Sequence, residues 1–261
     1  MSKLKVATNY LKHQWNANNR HGIHSPFVYD FLDSILYKDV LNDELKELAQ
    51  LKKKLLKDTR TIQITDLGAG STINANNSRL VKDVAKNSSK HPKYGRLFYR
   101  MVQHFKPQNI IELGTSLGLS TIYFSIANPH HTIYTLEGCP ETLKVALGNF
   151  NALNLQNIAT VLGDFKDTLP PILEQVKTAD MVFFDGNHQE EATLNYFEKC
   201  PPYKTDKSIF IFDDIHWSEG MTNAWNKIKG HPETVVTLDL FFLGIVFFDS
   251  SLTKQDFKIK F

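Results

Sequence analysis

The feature that most constrains the fold is the stretch N-I-I-E-L-G-T-S-L-G-L-S-T at residues 109–121. Its apolar run, formed by Ile110, Ile111 and Leu113, is typical of a short strand buried on both faces. Gly114 and Gly118 follow, and then a helix-compatible segment through Ile126. A glycine turn between a strand and a helix lets the backbone approach a ligand and point free N–H groups at it. Taken alone, the pattern equally fits an ordinary strand-to-helix turn.

Acidic residues follow the next two predicted strands and favour a nucleotide-like ligand. The strand at residues 132–136 ends at Glu137, and the strand at residues 159–162 ends at Gly163-Asp164-Phe165. An acid at the tip of the neighbouring strand can accept hydrogen bonds from the ribose hydroxyls of an adenosine. Asp164 is a candidate acceptor for the adenine amino group, with Phe165 along the ring. The alternative for Glu137 is an acid at a helix N-terminus near Pro140.

Three further aspartates follow strands predicted at residues 181–184 and 208–212. Asp185 ends the first strand, and Asp213 and Asp214 end the second. Because the carboxyl ends of parallel strands face one crevice, we expect the three carboxylates to converge beside Gly114. They repel one another unless a cation lies between them, and Mg²⁺, Ca²⁺ or Mn²⁺ suits such oxygen ligands. Without a metal, one acid would cap a helix and another would contact the cofactor amine.

The order of predicted elements indicates an α/β fold. Strands and helices alternate after residue 108, which favours a parallel sheet with right-handed crossovers. Two β-rich runs at residues 234–240 and 245–248 predict a terminal hairpin. Helical periodicity near residues 4–15, 26–35 and 41–55 predicts a helical N-terminal part. We therefore expect a helical extension over residues 1–90 and an α/β domain over residues 91–261.

Two other motifs are weaker. The segment D-L-G-A-G-S at residues 66–71 resembles a cofactor turn, but its preceding strand is short and a polar segment follows it. We interpret it as a loop. His21 and His24, in H-G-I-H, have a spacing that can serve a metal, but no third ligand lies nearby in the sequence, so a loop with hydrogen-bonded histidines is favoured.

Composition narrows the class of protein. A hydrophobic fraction of 42% over 261 residues is typical of a globular chain, and a net charge of +2 does not indicate nucleic acid as a partner. Two cysteines form no disulfide framework, which fits a cytoplasmic location. We expect neither a signal peptide at the N-terminus nor a membrane-spanning segment.

With these motifs the chain resembles the class I S-adenosylmethionine-dependent methyltransferases. It is most similar to O-methyltransferases of the catechol and caffeoyl-CoA type and to the sugar O-methyltransferases. The resemblance rests on the glycine stretch, Y-T-L-E-G, G-D-F, F-F-D-G-N-H and D-D-I-H-W-S-E-G-M, within about residues 93–248. It implies an α/β, Rossmann-like, seven-stranded and mostly parallel sheet with a C-terminal antiparallel hairpin, plus the N-terminal helical extension. It also implies that the extension over residues 1–90 is a lid and that the α/β domain over residues 91–261 is the methyltransferase domain.

The resemblance also implies the roles of particular residues. The implied cofactor-binding residues are Glu112, Gly114, Thr115, Ser116, Gly118, Ser120, Glu137, Gly138, Asp164, Phe165 and Asp185. The implied metal ligands are Asp185, Asp213 and Asp214, with Mg²⁺ or another divalent cation.

The residues at the positions of the general base differ in this chain from those of both branches. The catechol branch has a lysine three residues after the first metal ligand, where this chain has His188. The sugar branch has an aspartate two residues after it, where this chain has Asn187. His188 and Asp185 are the catalytic candidates, and the alternative for His188 is a helix-start residue without chemistry.

Two other functions stay open at this point. A dinucleotide-dependent oxidoreductase fits Glu137, but the G-x-x-x-G spacing and the terminal hairpin argue against it. A nucleic-acid methyltransferase or a non-catalytic binding module would use the N-terminal lysines, although no N-P-P-Y motif is present. The resemblance implies a small hydroxylated acceptor as partner, disfavours nucleic acid and a membrane, and leaves a homodimer open.

Overall fold

The computed structural model describes residues 3–38, 44–65, 77–88 and 91–261. The chain divides into two compact units. The first, residues 39–172, contains the glycine turn and is named the glycine-turn unit. The second, residues 1–38 with 173–261, is named the hairpin unit.

In the glycine-turn unit, helices alternate with short strands. Before the glycine turn lie α3 (Glu44–Leu55), β1 (Thr61–Gln63), β2 (Ser78–Leu80), α4 (Val81–Ser88) and α5 (Pro92–Phe105). From the turn onward lie β3 (Ile110–Leu113), α6 (Leu119–Ala127), β4 (Ile133–Glu137), α7 (Pro140–Ala152), β5 (Ile158–Leu162) and α8 (Phe165–Val176).

The predicted parallel arrangement of the three strands β3, β4 and β5 is confirmed. β3 pairs in parallel with β4, with Ile110 opposite Ile133, and β4 pairs in parallel with β5. All four residues of β3 are buried, as expected for an apolar strand covered on both faces. The short strands β1 and β2 form a separate antiparallel pair. Residues 66–71, interpreted as a loop, lie outside the described residues.

The hairpin unit contains both ends of the described chain. Its helices are α1 (Lys3–Asn16), α2 (Pro26–Phe31), which continues as a π-helix (Leu32–Leu36), α9 (Glu190–Lys199) and α10 (Glu219–Gly230). Its strands are β6 (Met181–Phe184), β7 (Ile209–Asp213), β8 (Val236–Asp239), β9 (Leu243–Phe247) and β10 (Gln255–Lys258). Among the described residues, no helix is long and apolar enough to cross a membrane.

The terminal hairpin is confirmed, and one strand more than predicted follows it. β6 pairs in parallel with β7, while β9 runs antiparallel to both β7 and β8. The additional strand is β10, which pairs in parallel with β8. Its residues, Q-D-F-K, are mostly exposed and lack the apolar pattern of a core strand. The segment therefore forms a strand because it pairs with β8, and not because of its intrinsic strand propensity.

The N-terminal helices form as predicted and are attached to the C-terminal strands. Ser25 caps α2 by accepting a hydrogen bond from the Val28 N–H, and Pro26 occupies the first helical position. Asn18 forms an isolated parallel bridge with Ile259, just after β10. The domain boundary at residue 90 stays a prediction.

Candidate functional site

The glycine turn between β3 and α6 has an unusual backbone. Gly114, Ser116 and Gly118 all have positive φ, at 108°, 49° and 80°. The N–H groups of Gly114 and Thr115 both donate to the carbonyl of Leu136 on β4, at 2.9 and 3.2 Å. The turn is therefore fixed against the neighbouring strand before it opens into the N-terminus of α6, where backbone N–H groups lack helical partners.

Gly118 is required by packing inside the unit. A Cβ built at Gly118 would lie 2.3 Å from Cε1 of Phe150 and 3.3 Å from Cβ of Ala146, both on α7. Phe150 is itself buried. The second glycine thus permits close contact between the turn and α7, in addition to its left-handed conformation.

Glu137 connects the turn to the end of β4. Its Oε2 accepts from the Ser116 N–H at 2.7 Å, and its Oε1 accepts from the Cys139 N–H at 2.9 Å. Burial raises the pKa of this carboxyl above its ordinary value, and the backbone hydrogen bonds oppose that shift. An ionised carboxylate offers about four acceptor positions, so acceptor capacity remains on both oxygens.

Glu112 is a fully buried acid on β3 beside the same turn. Its Oε2 accepts from the hydroxyls of Thr121 and Thr135, at 2.5 and 2.7 Å. Thr135 donates its only hydroxyl proton to Glu112. In the 2.6 Å contact between the hydroxyls of Thr115 and Thr135, Thr115 must therefore be the donor. Oε1 of Glu112 is buried and has no hydrogen-bond partner among the described residues. Burial raises the pKa of Glu112 to about 7.

The remaining candidates of this unit lie at the same ends of its strands and at the start of α6. Asp164 precedes α8, where its Oδ1 accepts from the Lys166 N–H at 3.0 Å. Its side chain therefore has a helix-capping role that the sequence did not predict. Ser120 is the second residue of α6, and Phe165 is the first of α8; both are half-buried, as is Gly138.

In the hairpin unit, the ends of β6 and β7 bring two of the predicted metal ligands together with the predicted base. Ligand atoms of Asp185, His188 and Asp213 all lie within 4.8 Å of one another. His188 Nε2 is 3.8 Å from Asp185 Oδ1. Asp213 is fully buried, whereas the side chains of Asp185 and His188 are 15% and 28% exposed. We name these three residues the acid–histidine cluster.

The third member of the acid–histidine cluster is His188, where the sequence predicted Asp214. Asp214 has a φ of 52°, and its backbone N–H donates to the Phe242 carbonyl at 2.7 Å. Its role as a metal ligand stays a prediction. Asn187, also at positive φ, donates from its side chain to the Tyr196 hydroxyl at 3.3 Å. Its Oδ1 is buried without a hydrogen-bond partner among the described residues.

One group of polar residues was missed by the sequence analysis. His13, His216 and Asp239 converge in the hairpin unit, again with ligand atoms within 4.8 Å. They come from distant parts of the chain, so no local spacing indicates them. By contrast, the His21 and His24 pair that the sequence did single out is exposed.

Comparisons with known proteins agree with the resemblance read from the motifs. Residues 111–215 match the model of a methyltransferase domain family. A catechol O-methyltransferase of Niastella koreensis is 32% identical over 127 residues, covering 48% of this chain and 57% of that protein. The chain thus spans little more than half the length of this relative.

Solved structures share the fold at low identity. A Podospora anserina methyltransferase bound to SAH has a TM-score of 0.60 at 12% identity, covering 95% of this chain and 97% of that one. An O-methyltransferase from Bacillus cereus in complex with SAH has a TM-score of 0.56 at 17% identity, covering 85% and 97%.

The class is indicated by two findings: residues 111–215 match a methyltransferase domain model, and solved methyltransferases share the α/β fold of this chain. The resemblance to the class I S-adenosylmethionine-dependent methyltransferases, with the catechol type among its relatives, is thereby confirmed.

Proposed function

We propose that this chain transfers a methyl group from S-adenosylmethionine to a hydroxyl of a small molecule. The observation that carries the proposal is the link between the glycine turn and Glu137, in which the Ser116 N–H donates to Oε2 of the carboxylate. This hydrogen bond fixes Glu137, the acid proposed to bind the ribose, against the glycine turn, whose backbone can approach the cofactor closely. Both lie inside the segment that matches the methyltransferase domain model.

The glycine-turn unit would bind the cofactor. Glu137 uses one acceptor position on each oxygen for backbone N–H groups, which leaves capacity for the two ribose hydroxyls. Gly114 and Gly118 allow the backbone near the methionine part, and Ser120 offers a hydroxyl at the N-terminus of α6. Asp164 and Phe165 would contact the adenine. The solved O-methyltransferase from Bacillus cereus carries SAH, which supports this cofactor.

The acid–histidine cluster would act on the acceptor. Methyl transfer to oxygen needs an aligned hydroxyl and removal of its proton, because the sulfonium methyl is already electrophilic. His188 is a suitable base, because a neutral imidazole has one ring nitrogen whose lone pair can accept a proton. Asp185, with Oδ1 3.8 Å from His188 Nε2, would stabilise the imidazolium that results.

The donor set of the cluster fits a divalent cation. Asp185 and Asp213 supply hard oxygen ligands within reach of each other, and Asp213 is removed from solvent. The two carboxylates suit Mg²⁺ and Mn²⁺ alike, whereas an imidazole ligand from His188 would favour the transition metal Mn²⁺ over Mg²⁺. When bound, such an ion lowers the pKa of an acceptor hydroxyl and fixes its orientation. With an ion bound, His188 would serve either as a metal ligand or as the base. Methyl-transfer activity measured with and without chelator separates the two roles.

The proposal extends to the acceptor, the cellular location and the domain organisation. The Niastella relative acts on catechol by name, so a vicinal aromatic diol is the first acceptor to test. We place the protein in the cytoplasm, because both cysteines are free and buried. We also propose that residues 1–90 form a helical extension or lid beside a catalytic domain spanning residues 91–261.

Binding and turnover test separate parts of this proposal. Isothermal titration of the full chain with S-adenosylhomocysteine should show one site, and titration with NADH should show none. Methyl transfer to catechol should fail in chelator and return with Mg²⁺ or Mn²⁺. Binding of NADH in place of S-adenosylhomocysteine would indicate an oxidoreductase. Full activity in chelator would remove the metal and leave His188 as the base.

A further inference from the structure

The group formed by His13, His216 and Asp239 shares no residue with the acid–histidine cluster or the glycine turn. His13 lies on α1, His216 lies after β7, and Asp239 ends β8. His13 Nδ1 is 3.5 Å from Asp239 Oδ1, and His216 Nε2 is 2.8 Å from Asp239 Oδ2. We name these residues the terminal triad, because they join the N-terminal helix to the C-terminal hairpin.

The outer nitrogen of each ring lies beside an oxygen. Nε2 of His13 lies 3.2 Å from the Ile259 carbonyl, which can only accept a hydrogen bond, so this nitrogen is a donor. Nδ1 of His216 lies 3.3 Å from the Thr222 hydroxyl, which can donate either to this nitrogen or to the Ser218 carbonyl 3.0 Å away. The orientation of the His13 ring is therefore fixed, and His216 can carry its proton on either nitrogen.

The inner nitrogens face the two oxygens of one carboxylate. Because Nε2 of His13 donates to Ile259, a neutral His13 ring points the lone pair of Nδ1 towards Asp239 Oδ1, which also accepts from the Phe241 N–H at 2.9 Å. Nε2 of His216 lies 2.8 Å from Asp239 Oδ2. A divalent ion would take the lone pairs of both inner nitrogens together with a carboxylate oxygen.

We propose that the terminal triad is a site for a first-row divalent cation of the Zn²⁺ type, ligated by His13, His216 and Asp239. Two imidazoles and a carboxylate are a donor set that Zn²⁺ accepts in proteins. Ligands of a tetrahedral zinc lie about 3.3 Å apart, so the observed 3.5 and 2.8 Å contacts need only small side-chain rotations. The hydrogen bond from His13 Nε2 to the Ile259 carbonyl is the kind of contact that orients a metal-binding histidine.

The site has a closed side and an open side. The side chains of His13 and Asp239 are 5% and 4% exposed, whereas that of His216 is 19% exposed. An ion would enter past His216, and a water molecule would complete its coordination there. Because the ligands come from both ends of the chain, the bound ion would fasten α1 to the hairpin and stabilise the folded state.

The experiment uses the metal-stripped full-length protein, with Zn²⁺ followed by calorimetry and Co²⁺ by its visible absorption. The wild type and two controls, Asp185→Asn and His21→Gln, should each bind an ion at this site with the intense tetrahedral Co²⁺ spectrum and a Zn²⁺-dependent rise in Tm. His13→Gln and Asp239→Asn should bind at least about 100-fold more weakly. Binding that His13→Gln leaves intact, or that Asp185→Asn abolishes, would overturn the proposal.

A measurement on the unmutated protein covers the case in which the variants do not fold. Nitrogen-15 NMR of the imidazole rings, recorded at saturating Zn²⁺, should show His13 protonated only at Nε2 and His216 protonated only at Nδ1. A proton on His216 Nε2 under these conditions, with or without a second proton on either ring, would show that Asp239 accepts a hydrogen bond there in place of a metal and would overturn the proposal.

Discussion

The backbone N–H of Ser116 donates to Oε2 of Glu137 over 2.7 Å, joining the glycine turn to the end of the next strand. The carboxylate expected to hold the cofactor ribose therefore also holds the turn that approaches the cofactor. Its second oxygen, which accepts from Cys139, fixes the start of α7 in the same way.

Glu137→Gln should weaken S-adenosylhomocysteine binding by roughly 10- to 100-fold, because hydrogen bonds to a charged acceptor are lost. The amide keeps only one acceptor oxygen, so Ser116 or Cys139 also loses its partner. Calorimetry measures the affinity, with Asp167→Asn, an exposed acid in the first turn of α8, as the control. Unchanged affinity in Glu137→Gln would place the ribose elsewhere.

Gly118→Ala should lower the free energy of unfolding by about 2–4 kcal/mol, from overpacking against Phe150 and the left-handed conformation. The matched control is Gly148→Ala on α7, where an added Cβ meets nothing within 4 Å. That change should stabilise the exposed helix by up to about 1 kcal/mol. Denaturant unfolding of both variants without cofactor decides whether the glycine is needed for packing; equal effects would contradict this.

The buried Glu112 should make the unliganded protein less stable as pH rises. Its folded pKa of about 7 lies above the ordinary 4.5, so the folded state binds more protons between these values. Stability is then lost progressively from pH 4.5 to 7, by about 3 kcal/mol in total. Glu112→Gln keeps an acceptor for Thr121 and Thr135 and should not show this loss. Parallel pH profiles of the two proteins would contradict a raised pKa.

The adjacent aspartates at the end of β7 should differ in function. Asp213 belongs to the acid–histidine cluster, so Asp213→Asn should reduce methyl transfer by at least about 100-fold while S-adenosylhomocysteine binding persists. Asp214→Asn should change it by less than about fivefold, and asparagine tolerates the positive φ at that position. Thermal melts check folding. Equal losses would favour the three-carboxylate site expected from the sequence.

Strands buried on both faces were predictable because a short apolar run bounded by turn residues is typical of them. Residues 181–184 were predicted as a strand with the bounds that the structure has, and the apolar run of Ile110, Ile111 and Leu113 lies within β3. The acids that follow such strands were also found, because a strand end fixes their place. β10 was not found, since its polar sequence forms a strand only by pairing with β8.

Contacts between distant residues explain what the sequence analysis missed. The resemblance assigned Gly118 to cofactor binding, and only the structure shows that a side chain there first meets Phe150. His188 was a candidate base in the sequence, yet its place beside Asp185 and Asp213 depends on how the loop after β6 turns. The terminal triad joins residues from both chain ends, which no motif in a single sequence can indicate.

The most direct test of the account is the fate of a labelled methyl group. The wild-type chain should be incubated with methyl-labelled S-adenosylmethionine, Mg²⁺ and a panel of small acceptors that includes catechol, and the products analysed by mass spectrometry. The account predicts label on a hydroxyl oxygen of at least one acceptor, lost in Asp213→Asn. Label on nitrogen only, or none on any hydroxylated acceptor although S-adenosylhomocysteine binds, would contradict it.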